Sequence, residues 1–157
     1  MCAGPAGRLW VAWGDRTDGL FVTRSNRATT AFEPVQKLKL PHNTKDGLTY
    51  VQCEGSQGPL DVFADVVIGS VGGFWRSHVL ARFALRAHVA QTKAGAKVTL
   101  MARDAGDPVA GASLTVGSRH LKTDANGQAT LTLRPGSYTA SAKANGYAPA
   151  STRFSVR

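Results

Sequence analysis

What this chain lacks narrows it first. No apolar run approaches the ~18 residues that a membrane-spanning helix requires. No stretch combines a 3.6-residue apolar period with capping residues, so helices are not expected. There are only two cysteines, Cys2 and Cys53, and neither has a Cys or His neighbour at metal-ligand spacing. Two cysteines leave open whether they pair or stand as independent small hydrophobes, the plainer reading. His42, His78, His88 and His120 lie apart and read as isolated surface residues. Gly-x-Ser-x-Gly does not occur. The run Gly69-Ser70-Val71-Gly72-Gly73 is followed by Phe74 and Trp75, where a phosphate loop needs Lys and then Ser or Thr. The start, Met1-Cys2-Ala3-Gly4-Pro5, has neither the basic segment nor the apolar core of a secretory signal. No metal, cofactor or catalytic residue is therefore expected.

Acidic residues are scarce in one half. Residues 1–70 hold seven Lys/Arg and seven Asp/Glu, whereas residues 71–157 hold twelve and three and carry the whole net charge of +9. The basic residues are scattered singly, which suits solubility as well as weak attraction to anionic partners. Nucleic acid is not expected as a partner. Phe74-Trp75-Arg76, with Arg82 and Arg86, is too small an aromatic and basic platform for stacked bases.

What is present is alternation with a period of two between turn signals, the mark of antiparallel strands. Ala129, Leu131 and Leu133 share one face, as do Tyr138, Ala140, Ala142 and Ala144. Phe83, Leu85, Ala87 and Val89 form a third such row, and Val98, Leu100 and Ala102 a fourth. Strands are expected over 80–89, 97–103, 113–116, 119–123, 128–133, 137–144 and 151–156, which makes a seven-stranded antiparallel β-sandwich. Residues 8–13 and 20–25 form a hairpin, and 32–40, 48–53 and 60–67 continue an antiparallel meander. Gly69, Gly72 and Gly73 suggest a hinge. The expected organisation is a first part over 1–68, a Gly/aromatic linker over 69–79 with Phe74 and Trp75 plugging a junction, and a sandwich over 80–157.

The second part resembles the carboxypeptidase-regulatory-like family, a transthyretin-like sandwich. The resemblance rests on Asp107-Pro108-Val109-Ala110-Gly111-Ala112, Thr123 to Leu131, Pro135-Gly136-Ser137-Tyr138 and Ala144-Asn145-Gly146-Tyr147. In this reading Pro108 ends pairing and Asn126-Gly127 makes a type I′ turn. Tyr138 and Tyr147 cover the sandwich ends with their hydroxyls at water. The first part resembles a piece of a sialidase-like β-propeller, one to one and a half blades. It has a Trp-rich strand, Arg8 to Trp13, and a degenerate Asp-box from Ser25 to Phe32. Arg27 stands at the box's Asp position and Thr29 at its Gly position.

An isolated blade leaves apolar faces wet. The resemblance therefore implies a fragment of a longer extracellular protein, partnered by upstream propeller blades. Its implied function is a non-catalytic accessory or structural module with weak contact to glycan or a cell-surface polyanion, through Arg103, Arg119, Lys122, Lys143 and Arg153. The alternative is a fragment of an exo-sialidase-type glycoside hydrolase whose catalytic groups lie mostly outside the chain. Tyr50, Glu54, Arg24 and Asp61 are the local candidates for such chemistry. No second acid or arginine cluster joins them in sequence, so they read as ordinary strand and turn residues.

Overall fold

The computed structural model describes residues 1–4, 7–15, 19–40, 50–55, 59–68, 71–92 and 95–157. Among these there is no α-helix, and every strand pairing is antiparallel. The chain divides into two compact units, Met1–Ala81 and Arg82–Arg157. Pro41, His42, the turn residues 16–18 and Gly69-Ser70 lie outside the described residues.

The first unit holds two sheets. One is a four-stranded meander of β1 (Cys2–Ala3), β2 (Leu9–Asp15), β3 (Gly19–Arg24) and β4 (Gln36–Leu38), in that order. The other is β5 (Tyr50–Gly55), β6 (Leu60–Ile68) and β7 (Val71–Val79). Alternation sends Trp10, Leu20 and Val22 of the first sheet, and Leu60, Val62 and Ala64 of the second, out of solvent. Cys2 and Cys53 form a disulfide that joins β1 to β5, with Cα atoms 5.9 Å apart and a separation of 51 in sequence. The expectation of two independent small hydrophobes is thereby corrected. The cross-link ties the two sheets where the β1 and β5 backbones approach.

The segment expected to be a linker is instead a nine-residue strand. Val71–Val79 pairs along its whole length with β6, from Ile68↔Val71 to Leu60↔Val79. Gly72 and Gly73 have open space where a Cβ would stand, so their presence does not interrupt the ladder. Phe74 is 89% exposed and plugs nothing. Its alternation partners on that face are Arg76 and His78, which point the whole row to water.

The second unit is two sheets around one apolar core. In the first sheet β9 (Gly95–Asp104) pairs with β8 (Ala84–Thr92), and also with β13 (Gln128–Leu133) and the two-residue β10 (Asp107–Pro108). The second sheet runs β12 (Arg119–Lys122), β11 (Ser113–Val116), β14 (Gly136–Lys143), β15 (Ala150–Val156). Val98, Leu100, Ala102 and Leu131 from one sheet pack in a single cluster with Leu114, Val116, Ala140 and Val156 from the other. This is the sandwich that period-two alternation requires: each sheet has one apolar face, and the two faces cover each other.

Three local expectations are revised. Pro108 does not end pairing but faces Arg103 across β9, a position at the short edge where its missing N–H is harmless. Asn126-Gly127 is not a type I′ turn, because only Gly127 has positive φ, at +67°. The Asp124 carboxylate accepts the Asn126 and Gln128 N–H groups instead, both at 2.9 Å, and Gly127 N–H donates to Asp124 O. The tyrosine hydroxyls are not left to water either. Tyr147 donates to Asp104 Oδ2 at 2.7 Å, and Tyr138 donates to the Arg134 carbonyl at 2.9 Å.

Candidate ligand-contacting surfaces

Strand register decides which basic side chains keep company. Ser113 faces Lys122 on one side and Lys143 on the other, so these two lysines flank one serine across three strands. Along the same outer face lie His120, Thr115, Ser141 and Ser151, and then Thr139 beside Arg153. The face is therefore hydroxyl-rich and basic, with no acidic residue among its strand positions. Arg103 stands on the outer face of the other sheet, in line with Met101, Thr99 and Lys97. That face too carries no acid on β8, β9 or β13.

Arg119 has the opposite parity from Lys122 and His120. It turns from β12 toward the facing sheet and donates to the Thr132 carbonyl at 2.9 Å. The five sequence candidates thus fall on three surfaces. Lys122, Lys143 and Arg153 share one, Arg103 lies on a second, and Arg119 lies at the sandwich end.

The acids of this unit are confined to the other end. Residues 82–157 hold eleven Lys/Arg and three Asp/Glu, a net of +8. Asp104 and Asp107 flank the β9–β10 turn, and Asp124 sits in the β12–β13 turn beside it, where Ala102 N–H donates to the Gly127 carbonyl. Asp104 is fully buried and bound by Tyr147, whose ring also meets Phe83 edge-on with centroids 5.3 Å apart. It serves the packing of that end rather than the surface.

A second cluster of charge lies on the first unit's β5–β6–β7 sheet. Asp61 faces Glu54 on one side and His78 on the other. Arg76 donates to both Asp61 oxygens, at 2.9 and 3.2 Å, and His78 Nδ1 lies 3.0 Å from Oδ1. The Arg76 guanidinium, followed by His78, holds the Asp61 carboxyl below its ordinary range, and Asp61 in turn raises Arg76. His78 is thus not an isolated surface histidine. The sequence placed Glu54 in a turn, whereas it is an exposed residue of β5. Arg24 is 3% exposed and lies with its guanidinium 5.4 Å from the Trp10 ring centre, on the other sheet of the unit. No group of three or more His, Cys, Asp or Glu able to hold a metal occurs among the described residues.

The Ser25–Phe32 turn closes between β3 and β4, with Ser25 and Phe32 paired as an isolated antiparallel bridge. Ser25 Oγ accepts the Leu9 N–H at 2.8 Å and is itself buried. Where Arg27 offers no acceptor, the neighbouring Asn26 supplies one: its Oδ1 accepts the N–H groups of Thr30 and Ala31 at 2.9 and 3.3 Å. Thr29 occupies the left-handed region at φ +56°.

Sequence reasoning missed Asp61, Arg76 and His78 as a group, because they meet only through the register of β6 and β7. It also missed Arg134, and it placed Tyr138 at a sandwich end without joining it to Arg119, beside which both lie. No curated protein and no solved structure matches the chain. Residues 92–157, from the last residue of β8 through the final strand, match the family model of the carboxypeptidase regulatory-like domain.

Proposed function

We propose that this chain is a non-catalytic accessory part of an extracytoplasmic protein, and that its sandwich makes weak, salt-sensitive contact with anionic glycan or another cell-surface polyanion. The observation that carries this reading is the charge placement in residues 82–157. Eleven Lys/Arg oppose three Asp/Glu, and those three sit at one end while both outer faces stay free of acid. Such a surface attracts extended polyanions over a Debye length without needing a deep pocket. The Cys2–Cys53 disulfide supports an oxidising compartment, since such bonds persist mainly outside the reducing cytosol.

The four-stranded meander β1–β4 and the bridged Ser25–Phe32 turn favour the finer reading of the first unit as a blade of a sialidase-like propeller. In that reading upstream blades are its partners. The alternative, a glycosidase fragment, gains less support. Asp61 is engaged by Arg76 and His78, and Arg24 is buried against the Trp10 ring.

Retention on a heparin column tests the proposal. The chain should bind at about 50 mM salt and elute well below about 1 M, where the screening length shrinks to about 3 Å. Passage through the column at low salt would end the polyanion reading. Upstream sequence carrying further Asp-boxes and an arginine triad would favour the glycosidase alternative.

A further inference from the structure

At the acid-free end of the sandwich, the β11–β12 turn and the β13–β14 turn enclose an open cleft of about 520 Å³. Its polar lining comes from Ser118, Arg119, Thr132, Arg134 and Tyr138, over an apolar floor of Val116 and Leu133. The size falls within the range of small-ligand sites, about 300–1,000 Å³.

The chemistry of the lining is specific. Arg119 is held in place by its bond to the Thr132 carbonyl, which leaves most of its five donors for a ligand. Tyr138 is pinned by its hydroxyl bond to the Arg134 carbonyl and by stacking on Phe154, with ring centres 5.7 Å apart. That bond also anchors the backbone from which the Arg134 side chain springs. Neither Arg119 nor Arg134 has an ion-pair partner among the described residues. The unit's three aspartate side chains lie at the opposite end of the sandwich. Guanidinium forks pair with two oxygens of a carboxylate or of a tetrahedral oxyanion at once. The hydroxyls of Ser118 and Thr132 suit sugar hydroxyls, and an aromatic ring suits the apolar face of a pyranose.

We propose that this cleft is a subsite for one acidic sugar unit, a pyranose carrying a carboxylate or sulfate, with the oxyanion held between Arg119 and Arg134. This deepens the polyanion reading and rests on it: the outer faces gather the chain, and the cleft grips a single residue of it. A nucleic-acid strand is disfavoured because one aromatic ring gives no row of stacking platforms.

The test uses the full chain and a sulfated heparin tetrasaccharide, titrated by NMR and calorimetry, with uncharged cellotetraose and a DNA duplex as controls. Amide shifts should concentrate at Ser118, Arg119, Thr132 and Arg134. Arg134→Gln, which removes no hydrogen bond within the protein, should weaken tetrasaccharide binding about tenfold, as loss of a charge-assisted bond does. The pair Lys122→Gln and Lys143→Gln on the outer face, outside the cleft lining, should change it less than about twofold. Arg119→Lys, which keeps the charge and loses the planar fork, should also weaken binding. Binding that survives Arg134→Gln while falling with the lysine pair would overturn the cleft and leave the polyanion reading standing. Tetrasaccharide that fails to bind wild-type protein at low salt would overturn both. DNA binding as tight as the tetrasaccharide, through the same residues, would overturn the acidic-sugar assignment.

Discussion

Thr29 and Gly127 show how single backbone positions carry the turns. Thr29 holds φ at +56°, a region in which an L-residue is strained by roughly 1–2 kcal/mol. Thr29→Gly should relieve that strain, less the extra chain entropy of glycine, and stabilise the first unit by about 0.5–1 kcal/mol. A rise in the urea midpoint of tryptophan fluorescence checks it, because Trp10, Trp13 and Trp75 all lie in that unit. Gly127 is the reverse case. A Cβ there would lie 2.6 Å from the Ala102 carbonyl oxygen and 2.9 Å from the Val109 nitrogen, at a φ of +67°. Both neighbours are backbone of the packed β9–β10 corner and cannot swing aside. Gly127→Ala should destabilise the sandwich unit by roughly 2–4 kcal/mol, as overpacking and φ strain combine, read as a lower melting temperature by far-UV dichroism. The glycine itself was legible as a turn in sequence. The close approach that forbids a side chain was not, since Ala102 and Val109 reach it only through tertiary packing.

At the scale of elements, β6 and β7 carry a charge arrangement with a defined pH response. Glu54 and Asp61 are directly opposed on β5 and β6, an unfavourable pairing that Arg76 and His78 offset from β7. Asp61 therefore titrates below its ordinary value of 3.8 in the folded state. A depressed folded pKa makes a contribution to stability that is fully present above the unfolded value. It is lost as pH falls through the folded one. Unfolding free energy of the first unit should thus decline below about pH 4, and Arg76→Met should flatten that decline and return the Asp61 carboxyl toward 3.8, read by carbon-detected NMR titration. Added salt should shrink the effect, because Arg76 is well exposed. Here the alternation of β6 was readable from Leu60, Val62 and Ala64. The strand β7 was hidden by Gly72-Gly73, which mimic a linker, although backbone pairing to β6 tolerates glycine on an open face.

At the scale of the molecule, the first unit depends on a covalent tie and the second on its core. The disulfide closes a span of 51 positions, for which chain-entropy reasoning gives stabilisation of up to about 4 kcal/mol. Reduction, or Cys53→Ser, should lower the tryptophan-monitored urea midpoint accordingly. The sandwich unit holds no cysteine, so a far-UV component insensitive to reductant should remain. The net charge of +8 on residues 82–157 belongs to this scale as well: added salt should weaken its attraction to polyanions without altering its fold.

The amino-acid sequence alone determined the sandwich. The buried rows on the strands of the second unit, such as Val98, Leu100 and Ala102 or Ala140 and Ala142, follow from period-two alternation, because a strand must present alternate residues to opposite faces. It also determined the excess of positive charge there. Only the tertiary structure decided where that charge faces water and where it lines a cleft, because strand order places Lys122 beside Lys143 and brings Arg119 to Thr132 of the opposite sheet. The pairing of Cys2 with Cys53 was likewise decided by approach in space. Local periodicity records which face a residue takes, whereas its neighbours on that face come from distant stretches of chain whose register no local pattern encodes.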